Sequence, residues 1–106
     1  MNLTDKKCKP CEGGVKPLKG NALQPYLKEV QGWSVVQEHH LEKEFKFKDF
    51  KTALDFVNKV GALAEKENHH PDISLSWGKV KITLWTHAIN SLSENDFILA
   101  KKIGLL

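Results

Sequence analysis

The chain contains no arginine; all sixteen of its basic residues are lysine. Arginine supplies the planar fork that grips phosphate, carboxylate and guanine, so its absence argues against nucleic-acid recognition. The lysines are spread along the chain and mostly alternate with apolar residues, the pattern of a solvated face rather than a basic stripe. No apolar run approaches the roughly 18 residues of a membrane span. The opening MNLTDKKCKPCEGG gives its lysines no apolar stretch to complete a secretion signal. There is no phosphate-cradling glycine loop, and no Ser or Cys nucleophile stands out beside a histidine. Only two cysteines are present, Cys8 and Cys11. Their single CxxC lacks the second pair or nearby His that a four-ligand zinc site needs. They read as incidental thiols kept reduced in the cytoplasm, the expected location. A zinc site shared between subunits is the other reading.

What remains is a chain of 106 residues with 41% hydrophobic and 27% charged residues and a net charge of +3, enough for one domain with a modest core. Residues 1–20, polar and rich in Gly, Pro and Lys, read as a flexible N-terminal extension, and residues 21–106 as the folded domain. Leu23, Leu27 and Val30 predict a short amphipathic helix that ends at Gly32. Strands follow over Trp33–Gln37 and Leu41–Lys48, with His39 and His40 near the turn between them and given no role. Asp49 caps a long helix running to about Glu67, whose stripe of Phe50, Ala53, Leu54, Val57, Val60, Leu63 and Ala64 predicts a core face. Ser93 and Asp96 form a capping box for a last helix, with Phe97, Ala100, Ile103 and Gly104 on its buried side. The order α-β-β-α-β-β-α predicts an α+β fold, a four-stranded antiparallel sheet with three helices on one face.

The chain is organised around Glu65–His87. Its apolar period changes from helical to alternating, with Ile73, Leu75 and Trp77 and then Val80, Ile82 and Leu84. A hairpin centred on Gly78, with a positive φ there, sets His69 opposite His87 and brings His70 to the same end. Two chemistries fit three converging imidazoles. One is a three-histidine metal site with an open position. Its weakness is that adjacent residues such as His69 and His70 point to opposite sides of an extended chain. The other, preferred here, is metal-free acid–base catalysis on a small substrate, since imidazole exchanges protons near neutral pH. The bland alternative is a set of surface or capping histidines. Trp85 alternates with Leu84 and shares a strand face with Lys81, Thr83 and His87. An outward indole suits a flat aromatic ligand, a subunit contact, or simple cover by its neighbours.

The run Glu65-Lys66-x-x-His69-His70-Pro71, then Trp77, Thr86-His87 and Leu92-Ser93-x-x-Asp96, resembles the signature of the pterin-4a-carbinolamine dehydratases. Gly32-Trp33 and Phe45-x-Phe47-x-Asp49-Phe50 extend the resemblance, which covers about Leu23 to Leu106. It implies dehydration of 4a-hydroxytetrahydropterin to the quinonoid dihydropterin, recycling the pterin cofactor of aromatic amino-acid hydroxylases. It also implies catalytic His69, His70 and His87, and Glu65 and Asp96 that orient imidazoles or contact the pterin. No metal or other cofactor is implied, and the assembly would be a homodimer or homotetramer. Related proteins also serve as a transcription activator's dimerisation partner or in enzyme assembly, so a non-catalytic binding role is the alternative. Three positions depart from the family pattern. Ser91 stands where many members have Gly, Trp77 replaces the usual Tyr, and Asn68 stands where several have Asp.

Overall fold

A computed structural model describes residues 2–9 and 15–106. Cys11, and with it the CxxC reading, lies outside the described residues. A 3₁₀ turn over Gly20–Leu23 leads into α1 (Gln24–Leu27), with Pro25 in its first turn. Then come β1 (Ser34–Val36), β2 (His40–Lys46), α2 (Phe50–Glu67), β3 (Asp72–Ser76), β4 (Lys79–Leu84) and α3 (Glu94–Ile103). The sheet order is β1-β2-β4-β3, antiparallel throughout, and the three helices cover one face. This is the expected α+β architecture. Leu41, Val80, Ile82 and Leu84 point from the sheet into a core closed by Ala53 and Val60 of α2 and by Phe97, Leu99 and Ile103 of α3. The alternation along β4 is complete, with Val80, Ile82 and Leu84 buried and Lys79, Lys81 and Thr83 facing out.

Helix α2 starts where Asp49 accepts a hydrogen bond from the Thr52 N–H at 2.8 Å, as the sequence predicts. That bond, more than the neighbouring lysines, holds the Asp49 carboxyl below its ordinary range. The buried face is rotated from the expected stripe. Ala53, Val60 and Ala64 are buried, and Phe56 packs between Phe45 and Phe47 at ring separations of 4.8 and 5.1 Å, whereas Phe50 and Leu54 are exposed. The buried face is centred on Ala53, Val60 and Ala64, which turns Phe50 and Leu54 toward solvent.

The β3–β4 hairpin differs from expectation by one residue of register. Ser76 pairs with Lys79 around a two-residue Trp77-Gly78 turn, and neither turn residue has a positive φ. Glycine is needed at 78 for a different reason. A β-carbon there would lie 2.8 Å from the Phe47 carbonyl oxygen, because the Phe47 N–H donates to the Gly78 carbonyl at 2.8 Å.

The N-terminal segment lies against the domain rather than apart from it. Leu3 is fully buried, Lys6 pairs with Glu94 at 2.9 Å, and Lys9 exchanges two hydrogen bonds with Asn95, one from its N–H and one to its carbonyl. This explains α3, which is buried almost all round rather than along one stripe. Phe97-Ile98-Leu99-Ala100 is apolar on every side because the segment around Leu3 covers what the sheet and α2 do not.

Candidate active site

The site stands where the C-terminus of α2, the end of β4 and the N-terminus of α3 meet. Asn68 adopts a left-handed conformation (φ 54°), and its N–H and that of His69 turn back onto the Glu65 and Ala64 carbonyls. This Schellman-type closure suits Asn, which tolerates a positive φ better than most residues. It reverses the chain so that His69 turns inward, 5% exposed, and His70 is left outside. Adjacent imidazoles therefore have opposite surroundings.

On the other side, β4 ends at Leu84 and Trp85 points away from the core. Thr86 and Ser91 then bridge each other through paired backbone hydrogen bonds of 2.9 and 3.4 Å. The loop they close is a 3₁₀ turn, His87–Ile89, ending at Asn90 with φ 49°. The positive φ falls on Asn90, so Ser91 needs no glycine conformation and is buried instead.

Ser93 opens α3 with a complete capping box whose second member is Asp96. Asp96 is fully buried. Its Oδ2 accepts from the Ser93 N–H and the Thr86 hydroxyl, both at 2.9 Å, and its Oδ1 accepts from His69 Nε2–H at 2.6 Å. Thr86 and Ser93 hydroxyls meet at 2.6 Å behind it. The positive end of the α3 dipole suits an anionic side chain at that position. One carboxylate thus fixes the start of a helix and the ring plane and tautomer of an imidazole.

At the mouth, His70 Nε2–H donates to the Glu65 carboxylate, both groups being exposed. His87 lies on Trp85, with ring centroids 4.3 Å apart at 43°. Asn68, His69, His70, Trp85, His87 and Ala88 line a cleft of about 180 Å³. A larger hollow of about 310 Å³ near Tyr26 and Glu94 has no imidazole in its lining. The structure therefore gathers His69, His70, His87 and Trp85, with Glu65 behind His70 and Asp96 behind His69. Among the described residues no three His, Cys, Asp or Glu side chains are grouped as metal ligands.

Sequence reasoning missed two sets of neighbours. Thr86 and Ser93 hold Asp96, and the only signal was their place beside His87 and in the capping box. His39 and His40 reach Trp85 at ring separations of 5.4 and 6.2 Å, because β2 pairs with β4 and so brings the β1–β2 turn to the end of β4.

Next to Asn95, Glu67 is buried and accepts from Lys102 Nζ at 2.8 Å and from the Cys8 N–H at 3.0 Å. Burial pushes its carboxyl up, but the Lys102 hydrogen bond and the Cys8 N–H more than offset this and hold it below its ordinary range. Burial first, and then the Glu67 charge, push the Cys8 thiol up to about 12. The Cys8 Sγ also donates to the Asn95 carbonyl at 3.5 Å.

The family model for pterin 4 alpha carbinolamine dehydratase matches residues 16–106. A protein of Rubrobacter xylanophilus, provisionally named a pterin-4-alpha-carbinolamine dehydratase, is 53% identical over 104 residues, 98% of this chain and 97% of the relative. One from Alkaliphilus metalliredigens with the same provisional name is 55% identical over 103 residues, 96% of this chain and 93% of the relative. Among solved structures, a transcriptional coactivator/pterin dehydratase from Brucella melitensis superposes with a TM-score of 0.80 at 33% identity, covering 85% of this chain and 97% of that one. A pterin dehydratase-like protein identified as a RuBisCO assembly factor shares the fold, with a TM-score of 0.61 at 23% identity over 73% of this chain and 90% of that one. With a family match along most of its length and relatives above half identity, the chain belongs to the pterin-4-alpha-carbinolamine dehydratase family.

Proposed function

We propose that the chain dehydrates 4a-hydroxytetrahydropterin to the quinonoid dihydropterin by histidine acid–base catalysis. The observation that carries this reading is the convergence of His69, His70 and His87 with Trp85 on one cleft. The C4a–O bond breaks as the N5 lone pair forms the C4a=N5 bond. The departing hydroxyl takes a proton from an acid and leaves as water, and the proton on N5 passes to a base. Imidazole serves either role at neutral pH, and a positioned acid or base is worth about 10²–10⁴-fold in rate. His70 and His87 are exposed and can exchange protons with solvent, while His69 is oriented by Asp96. The half-buried Trp85 indole offers a flat apolar face to a bicyclic pterin.

In this role the protein recycles the pterin of an aromatic amino-acid hydroxylase in the cytoplasm. The exposed Phe50, Leu54 and Trp77 support assembly into a homodimer or homotetramer. The test is to add purified protein to a hydroxylase generating 4a-hydroxytetrahydropterin and follow its dehydration, with and without chelator. Acceleration in both conditions is expected. Loss in chelator with recovery on zinc would restore the metal reading. A rate no better than buffer would leave the binding or assembly role, which the double name of the Brucella neighbour keeps in view.

A further inference from the structure

His39 lies outside the cleft, yet it is bonded to the loop that carries His87. Its Nε2–H donates to Asn90 Oδ1 at 2.8 Å. Asn90 closes the 3₁₀ turn by donating its own N–H to the His87 carbonyl at 3.1 Å. His39 also packs on the Trp85 indole, 5.4 Å between centroids, and His87 packs on the same indole at 4.3 Å. With Nε2 donating, His39 Nδ1 accepts from His40 Nδ1–H at 3.1 Å, which fixes the tautomer of both rings. The turn that delivers His39 is held against its own preference, since Gln37 and Glu38 both have φ of 53° without being glycine. Such a conformation persists only where surrounding contacts over-determine it. Here those contacts are the Glu38 carboxylate accepting the Gly20 N–H at 3.0 Å and the His39 bond to Asn90.

From this geometry we infer that His39 is a positioning residue: through Asn90 and Trp85 it holds the His87 imidazole in place over the cleft. The catalytic consequence rests on the dehydratase reading, whereas the holding of the ring does not. Reacting groups must sit close to their productive geometry, and a misplacement of about 1 Å can cost on the order of 100-fold in rate. Loss of one support on an otherwise intact loop falls short of that.

The test combines proton NMR of the histidines with turnover. An imidazole 4.3 Å from an indole centroid has a ring-current-shifted carbon-bound proton, and the spectrum of His87→Gln identifies that resonance in the wild type. In His39→Ala and in Asn90→Gly the resonance is expected to move toward its unshifted position. His39→Gln keeps an N–H near the site of Nε2 and should retain the shift. Gly adopts the φ of 49° freely, so Asn90→Gly removes the acceptor without straining the loop. Turnover should fall about tenfold in kcat, with KM little changed, in each of His39→Ala and Asn90→Gly. The double variant should be no worse than either, and His39→Gln close to wild type. An unmoved His87 resonance in folded His39→Ala overturns the inference, as do kcat losses that multiply. Wild-type protein without dehydratase activity would overturn the proposed function alone, and the resonance would still decide whether His39 holds the ring.

Discussion

His69 and Asp96 form a buried pair, 2.6 Å from Nε2 to Oδ1, in which the carboxylate that orients the imidazole also caps the helix it stands on. The orienting partner of Asp96 is thus the buried His69, and His87 takes its position from Trp85 and the loop around Asn90.

Asp96→Asn is expected to affect both roles. Its single oxygen can still accept from the Ser93 N–H and keep the capping box, while the negative charge in the first turn is lost, so the stability loss should be about 1 kcal/mol. The amide NH₂ then faces His69 Nε2 and forces the imidazole to accept where it had donated. Turnover should fall by roughly 10–10³-fold, the worth of one correctly protonated acid or base. Thermal unfolding and turnover measured on the same sample separate the effects. A variant that loses only stability would reduce Asp96 to a cap.

His69→Ala and His87→Ala should each cost on the order of 10–10³-fold in rate, and the double variant clearly less than the product. The two residues line one cleft and would act on one bound molecule. His69→Ala also leaves the buried Asp96 carboxylate without that partner, at about 1–3 kcal/mol of stability. His87, exposed, should cost little. Losses that simply multiply would show that the two imidazoles work independently.

Glu67→Gln should lower stability near neutral pH by about 1–3 kcal/mol, since a charged hydrogen bond to Lys102 is lost while the Cys8 N–H keeps an acceptor. The folded carboxyl lies below its ordinary range, so its stabilisation is fully present above the unfolded value of about 4.3 and is lost as pH falls through the folded one. The gap between wild type and variant should therefore narrow below about pH 4 in denaturant titrations. A gap that is constant with pH would mean Glu67 acts only by packing.

Gly78→Ala should destabilise by about 1–3 kcal/mol, because the new methyl would stand 2.8 Å from a backbone oxygen that cannot swing aside. Chemical denaturation reads this directly. An unchanged midpoint would mean the Phe47–Gly78 approach relaxes at no cost.

The legible parts of this fold were the local ones. Asp49 and the Ser93–Asp96 box are signalled within four residues of chain, and both caps form as expected. The alternation through β4 is equally local. What escaped depends on partners distant in sequence. The face of α2 is set by Phe45 and Phe47 beneath Phe56, and the burial of Ile98 and Leu99 by the segment around Leu3. The hairpin register was off by one because a two-residue turn without positive φ leaves no marker but the glycine, and that glycine serves Phe47 instead. The three cleft histidines were found because they share one stretch of chain. His39 carries no such local signal, because only the β2–β4 pairing brings it to Trp85.

The docking of the segment around Leu3 on α3 also sets an order of events during biosynthesis. Lys6 and Glu94 are 88 residues apart, so this contact closes nearly the whole chain into a loop. On a translating ribosome the earlier segment must wait, its leucine in water, until the last helix has left the exit tunnel. Folding to the native state is then completed only after that helix emerges, and an interval in which Leu3 lacks the helix that buries it is built into every round of synthesis.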